Sequence, residues 1–214
     1  MKKCIVFGIA IFVASLTSHN SLAQTIEITP SYGYQFGSKL NYGSNYIKIE
    51  DSEQFGITIG MEADDDLMIE ASYFHYGTEL SIRDVFYSPS EQRLSDLSVD
   101  WILLGGAIYF PAGNLRPFLG GALGAVIFSP SEENTSIISR PLENSTKFAL
   151  AFKGGVNIMV SDRIGINLQG NLMFPVTWGG VYVGGGPGGV SGGVGVSSTT
   201  IIGGFTGGLV FRIN

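Results

Sequence analysis

Apolar and polar side chains alternate at every second position along most of this chain, and that rhythm allows very few folds. Ile26, Ile28, Tyr32, Tyr34 and Phe36 fall on one row, with Glu27, Thr29, Ser31, Gly33 and Gln35 on the other. Phe55, Ile57, Ile59 and Met61 alternate with Gln54, Gly56, Thr58, Gly60 and Glu62. The same pattern recurs over 67–74, 148–158, 166–174 and 201–213. Period two over about ten residues specifies strands with one apolar and one polar or small face. Two stretches, Val99 to Phe110 and Pro117 to Phe128, are apolar or small on both faces. Their length and flanking turns still mark them as strands, with the facing left open.

Composition sharpens the choice. Only 14% of residues are charged while 44% are hydrophobic, and 31 of 214 are glycine. Such a chain is not disordered, and one cysteine cannot build a disulfide scaffold. A net charge of −6 argues against nucleic acid as a partner. The mean hydropathy of +0.27 suggests a membrane protein, yet no stretch beyond the N-terminus supplies the roughly 20 apolar residues of a spanning helix.

The first 23 residues form an export signal. Lys2 and Lys3 precede an apolar core from Cys4 to Leu16, and Ser21-Leu22-Ala23 offers small residues where a signal peptidase inspects them. Cleavage is expected after Ala23, leaving a mature domain over 24–214 without cysteine. Removal of the two lysines leaves 10 basic residues of the original 12 against 18 acidic ones, a charge of −8.

Eight strands are predicted near 25–37, 53–62, 67–82, 97–110, 115–129, 146–160, 164–174 and 200–213. Short turns at 63–66, 111–114 and 161–163 alternate with long loops at 38–52, 83–96, 130–145 and 175–199. The fold predicted is all-β: an eight-stranded antiparallel up-and-down transmembrane β-barrel, with both termini at the short-turn end. Hydrocarbon cannot satisfy an open sheet edge, so the sheet must close. A soluble barrel would put apolar residues inside and polar ones outside. Here the polar row carries Glu27, Glu70, Lys153 and Arg212, which suits a polar lumen. Tyr32, Tyr34, Phe36, Tyr73, Tyr109, Phe110, Phe148, Trp178 and Phe211 stand near strand ends, as aromatic girdles do.

Several segments carry family resemblance: Tyr109-Phe110-Pro111, Arg116-Pro117-Phe118-Leu119-Gly120-Gly121 with Gly124, Gly154-Gly155-Val156-Asn157, Asp162-Arg163-Ile164-Gly165, and the terminal Gly207-Gly208-Leu209-Val210-Phe211-Arg212-Ile213-Asn214. In these the chain resembles the small outer-membrane β-barrel proteins of Gram-negative bacteria, the OmpA-, OmpX- and OmpW-type barrels and their Bacteroidetes members. The resemblance implies an outer-membrane location, a monomer, contact with outer-membrane lipid and lipopolysaccharide, and passage through the barrel-insertion machinery.

Candidate chemistry is sparse. Glu27, Glu62 and Glu70 on the inward row are expected toward the short-turn end, with Arg116 and Arg212 near the same level and Lys153 at mid-depth. Desolvated charges pair, so these six are expected to form a lumen network, as a plug or as a gate. His75 has no serine beside it, although Ser81, Ser88 and Ser90 follow. It reads as an interfacial residue, and no enzyme activity is expected. Asp64-Asp65-Asp66 and Glu132-Glu133 read as solvated acids rather than metal ligands. The glycine-rich run 184–193 lacks the Lys-Ser/Thr of a phosphate loop and reads as a flexible outward loop. No catalytic residue, metal or cofactor is expected. Two functions fit: a structural or surface-interaction role through the outer loops, or a passive route for small or hydrophobic molecules. The second depends on Ile102, Leu104, Ile108 and Phe118 pointing inward.

Overall fold

A computed structural model describes residues 25–85, 88–110, 112–137, 141–176, 182–186, 189–193 and 201–213. The expected signal segment and Trp178 lie outside the described residues. Twelve strands run in order: β1 (Ile26–Gln35), β2 (Ser38–Tyr42), β3 (Asn45–Ile49), β4 (Ser52–Asp64), β5 (Leu67–Asp84), β6 (Ser88–Tyr109), β7 (Leu115–Ser131), β8 (Ser145–Met159), β9 (Ile164–Val176), β10 (Tyr182–Gly186), β11 (Gly189–Gly193) and β12 (Ile202–Ile213).

Eight of them close a ring in the order β5-β4-β1-β12-β9-β8-β7-β6, with β6 returning to β5, all pairs antiparallel. Stepping across paired residues leads from Asp100 to His75, Phe55, Tyr32, Gly207, Leu168, Val156 and Pro117. The Phe110 amide then donates to the Pro117 carbonyl, so the circuit re-enters the strand at Phe110, ten residues below its start (110 − 100). This stagger tilts the strands, as closure of eight strands requires. Ten tilted residues rise about 25 Å, the height of an outer-membrane apolar band.

The turns follow local chemistry. Gly113 takes a left-handed φ of 64° between β6 and β7, where a side chain would be strained. Ser161 Oγ accepts from the Ile164 amide at 3.2 Å to tighten the β8–β9 turn. At the seam, Gly33 lies so close to the Phe205 carbonyl that a Cβ there would collide with it.

The outward row carries Ile57, Ile59, Leu104, Leu123, Leu168 and Leu209, all about half-exposed. Directly opposed residues in an antiparallel pair share a face, which fixes the two ambiguous strands. Because buried Phe74 opposes Trp101, the row Val99, Trp101, Leu103, Ala107 and Tyr109 turns inward. Ile102, Leu104 and Ile108 therefore face outward, against the inward option on which the second function depends, and only Phe118 of that group is buried inside. Tyr109 likewise belongs to the lumen and not to a girdle.

The expected long loops at 38–52 and 83–96 are mostly strand. β2 and β3 form a hairpin, and β3 pairs with β5 over Tyr46–Ile49 and Leu80–Arg83. β5 and β6 continue together as far as Asp84 and Ser88. A four-stranded sheet therefore projects beyond the barrel, with β2 at its open edge. Within the run expected to be a flexible loop, β10 and β11 pair as a separate hairpin.

Candidate functional site

The inner half of the lumen carries the ion pairs, beside a buried cluster of Met68, Ala107, Tyr109 and Phe118. Glu27 and Arg212 are register partners, and over Gly60, the other neighbour of Glu27, the side chains of Met68 and Glu70 take the space a Cβ would need. Glu27 is buried and pairs with Arg116 reaching from the opposite wall, while Arg212 Nε lies 3.4 Å from the same carboxylate. Arg212 Nη2 stands 3.5 Å from Glu62. Arg116 also lies over the Tyr109 ring, 4.5 Å from its centroid. The Asn167 amide donates to Asn157 Oδ1 at 2.7 Å, closing the polar floor.

One layer outward, Lys153 pairs with Glu70. Glycine makes room for both long side chains: Glu70 is flanked in register by Gly60 and Gly105, and Lys153 by Gly120. The structure thus brings the six charged residues into two groups, Glu27–Arg116–Arg212–Glu62 and Glu70–Lys153. Three carboxylates balance three cations. Beside the second group lies a cavity of about 20 Å³ lined by Glu70, Ser72, Lys153, Gln169 and Asn171, enough for about one water.

The outer half of the lumen holds a large apolar cluster beside buried Gln35 and Gln54. Phe74, Tyr76, Val99, Trp101, Leu103, Val126, Met173 and Ile202 form one buried cluster. Above it Leu80, Ile82 and Leu94 pack with Ile47, Ile49, Ile137 and Leu142. Polar and apolar residues also divide by wall: Gln35, Gln54, Thr206 and Asn171, all buried, come from β1, β4, β12 and β9, whereas the apolar cluster draws heavily on β6.

The projecting sheet is stapled by polar contacts. Asp51 accepts from the Gly37 amide at 2.6 Å and from the Tyr34 hydroxyl at 3.1 Å, and these two bonds hold its carboxyl below the usual range. Asn45 Nδ2 donates to Asp84 at 2.8 Å, and Tyr46 bonds Glu91. Arg93 gathers Asp96 at 3.0 Å, Glu132 at 3.6 Å and Glu79 at 3.9 Å.

On the outward face, Asp100 accepts from the Tyr73 hydroxyl at 2.6 Å, and its Oδ1 is 2.7 Å from His75 Nδ1. The partner of His75 is thus a carboxylate 25 residues away, not one of the serines considered. Only the β5–β6 register brings them together. Asp64 caps its own turn, and Glu133 accepts from the Leu142 amide, so both acidic runs serve local structure.

No family model and no curated protein matches this chain. Solved structures do. The outer membrane protein OprG from Pseudomonas aeruginosa shares 14% identity at a TM-score of 0.63, covering 90% of this chain and 97% of its own. Neisserial surface protein A shares 14% at 0.55, covering 89% and 97%. The outer membrane protein AlkL shares 15% at 0.50, covering 88% and 90%. With a closed ring, an apolar belt and these likenesses, the chain has the fold of the small eight-stranded β-barrels of bacterial outer membranes.

Proposed function

We propose that the protein resides in a Gram-negative outer membrane as a lipid-bounded monomer, inserted by the barrel-assembly machinery, and that it works through the sheet it projects outward. The carrying observation is the filled lumen. Among the described residues, ion pairs with Met68, Tyr109 and Phe118 fill its inner half, and an apolar cluster with Gln35 and Gln54 its outer half, with a cavity of about 20 Å³ at the Glu70–Lys153 level. A barrel of eight strands is narrow enough for side chains to fill. The four-stranded extension stands outside the barrel, and its edge strand β2 offers backbone groups to an extended segment of another surface protein or polymer. The six lumen charges act as a structural plug. The His75–Asp100 contact supports an interfacial role for His75.

The test is planar-bilayer recording together with surface binding. Refolded protein is expected to give no unitary currents. Replacing 38–49 with a short turn should abolish adhesion of expressing cells to host or bacterial surfaces while leaving the barrel folded. A second reading, a passive route for hydrophobic molecules, draws on the apolar outer lumen. Steady currents, or solute uptake that survives loss of the hairpin, would favour it instead.

A further inference from the structure

The first and last strands of the barrel meet along a pairing that has one gap. β1 and β12 keep a constant register from Ile26 with Ile213 to Gln35 with Gly204. Ile28 pairs with Phe211 and Ser31 with Gly208, but Thr29 and Pro30 between them are unpaired on this side. The Phe36 amide donates to the Gly203 carbonyl, and hydrogen-bonded rungs of an antiparallel ladder recur at every second residue. Pro30 and Leu209 therefore face each other on such a rung. Proline has no N–H, so the Leu209 carbonyl has no ladder donor there. The pairings of β1 with β4, of β12 with β9, and of β6 through β9 run without a break. The other prolines in described strands, Pro89, Pro117, Pro130 and Pro175, stand within three residues of a strand end, whereas Pro30 lies in the middle of β1.

Pro30 and Leu209 are both exposed on the outward row, where hydrocarbon offers no replacement donor. Behind them the inward row holds Thr29, Ser31, Gly33, Gly208 and Val210, none of them charged. Gly207 and Gly208 lie in the same stretch of β12 and weaken it further. Both ends of the pairing are fastened. At the inner end Arg212 Nε lies 3.4 Å from Glu27. At the outer end Gln35 Nε2 donates to the Gly203 carbonyl at 2.7 Å. There the rings of Tyr34, Phe36 and Phe205 also pack together, with centroids 5.8, 5.9 and 6.2 Å apart. The weak stretch thus lies between two clasps.

We propose that this seam is a conformational device: the barrel opens between Thr29–Gly33 of β1 and Thr206–Val210 of β12 while its other pairings stay closed, and Pro30 sets how often. Local opening follows the pairing with the fewest hydrogen bonds to break. The ionic and aromatic clasps confine the opening to a short slit and hold the register for reclosure. The inference rests on the closed ring of strands and not on the surface role proposed above.

Amide hydrogen exchange of the refolded full chain in lipid nanodiscs, followed residue by residue by NMR, tests it. The Tyr32 and Leu209 amides bond across the seam, whereas Leu104 and Leu123 face each other in the unbroken β6–β7 pairing. The first two should exchange about tenfold faster than the second two, the effect of one ladder hydrogen bond. Pro30→Val supplies the missing donor and should remove that difference. Pro30→Ala, which supplies the same donor with a smaller side chain, should do so too, independently of packing on the lipid face. Pro117→Val, where the missing donor lies beside a turn, should leave seam exchange unchanged. Equal exchange at the two pairings in the unaltered protein, or a seam that stays fast in both Pro30 variants, would overturn the device.

Discussion

Lys153 and Glu70 sit in the barrel interior with little water to share their charge. Removing one partner strands the other, which costs about 3–5 kcal/mol, whereas removing both is nearly neutral when the replacements pack. Lys153→Met should therefore lower the unfolding free energy in lipid vesicles by that amount. Adding Glu70→Met should recover most of it, as a urea titration of the double variant would show. Gly33 is a second sensitive residue, because β12 passes so close that Cβ meets the Phe205 carbonyl. Gly33→Ala should cost about 1–3 kcal/mol by the same titration, as overpacking does.

Among elements, the β2–β3 hairpin depends on Asp51 to fasten its base to β1. Because the Gly37 amide and the Tyr34 hydroxyl stabilise the ionised carboxylate, its folded pKa lies below that of an ordinary aspartate. The clasp thus contributes its full stability above the unfolded value and loses it as pH falls through the folded one. Amide exchange in 38–49 should accelerate as pH drops from 6 to 3, after correction for intrinsic rates. In Asp51→Asn it should be fast throughout, while exchange in β8 and β9 stays slow in both proteins.

At the scale of the whole molecule, the fold turns a soluble protein inside out: half-exposed aliphatics form the belt and charges lie within. Leu104 lies near mid-belt and faces outward. Leu104→Arg should destabilise the protein by about 2–4 kcal/mol in bilayers, the cost of a cation at mid-depth on a lipid face. Little change in that measurement would contradict the membrane placement.

Alternation by itself determined that the chain is strand, where most strands lie, and which row faces out wherever the two rows differ in polarity. Glu27, Glu62, Glu70, Lys153 and Arg212 could be assigned to the inside for that reason. Alternation is silent where both rows are apolar, so Trp101 and Ile102 could be told apart only by pairing with β5, whose parity is unambiguous. Pairing partners are also long-range facts: Asp100 meets His75, and β3 meets the far end of β5, because hydrogen-bond register and barrel stagger align them. Side-chain period two is local and legible, whereas the register that joins distant strands is decided only when the sheet closes.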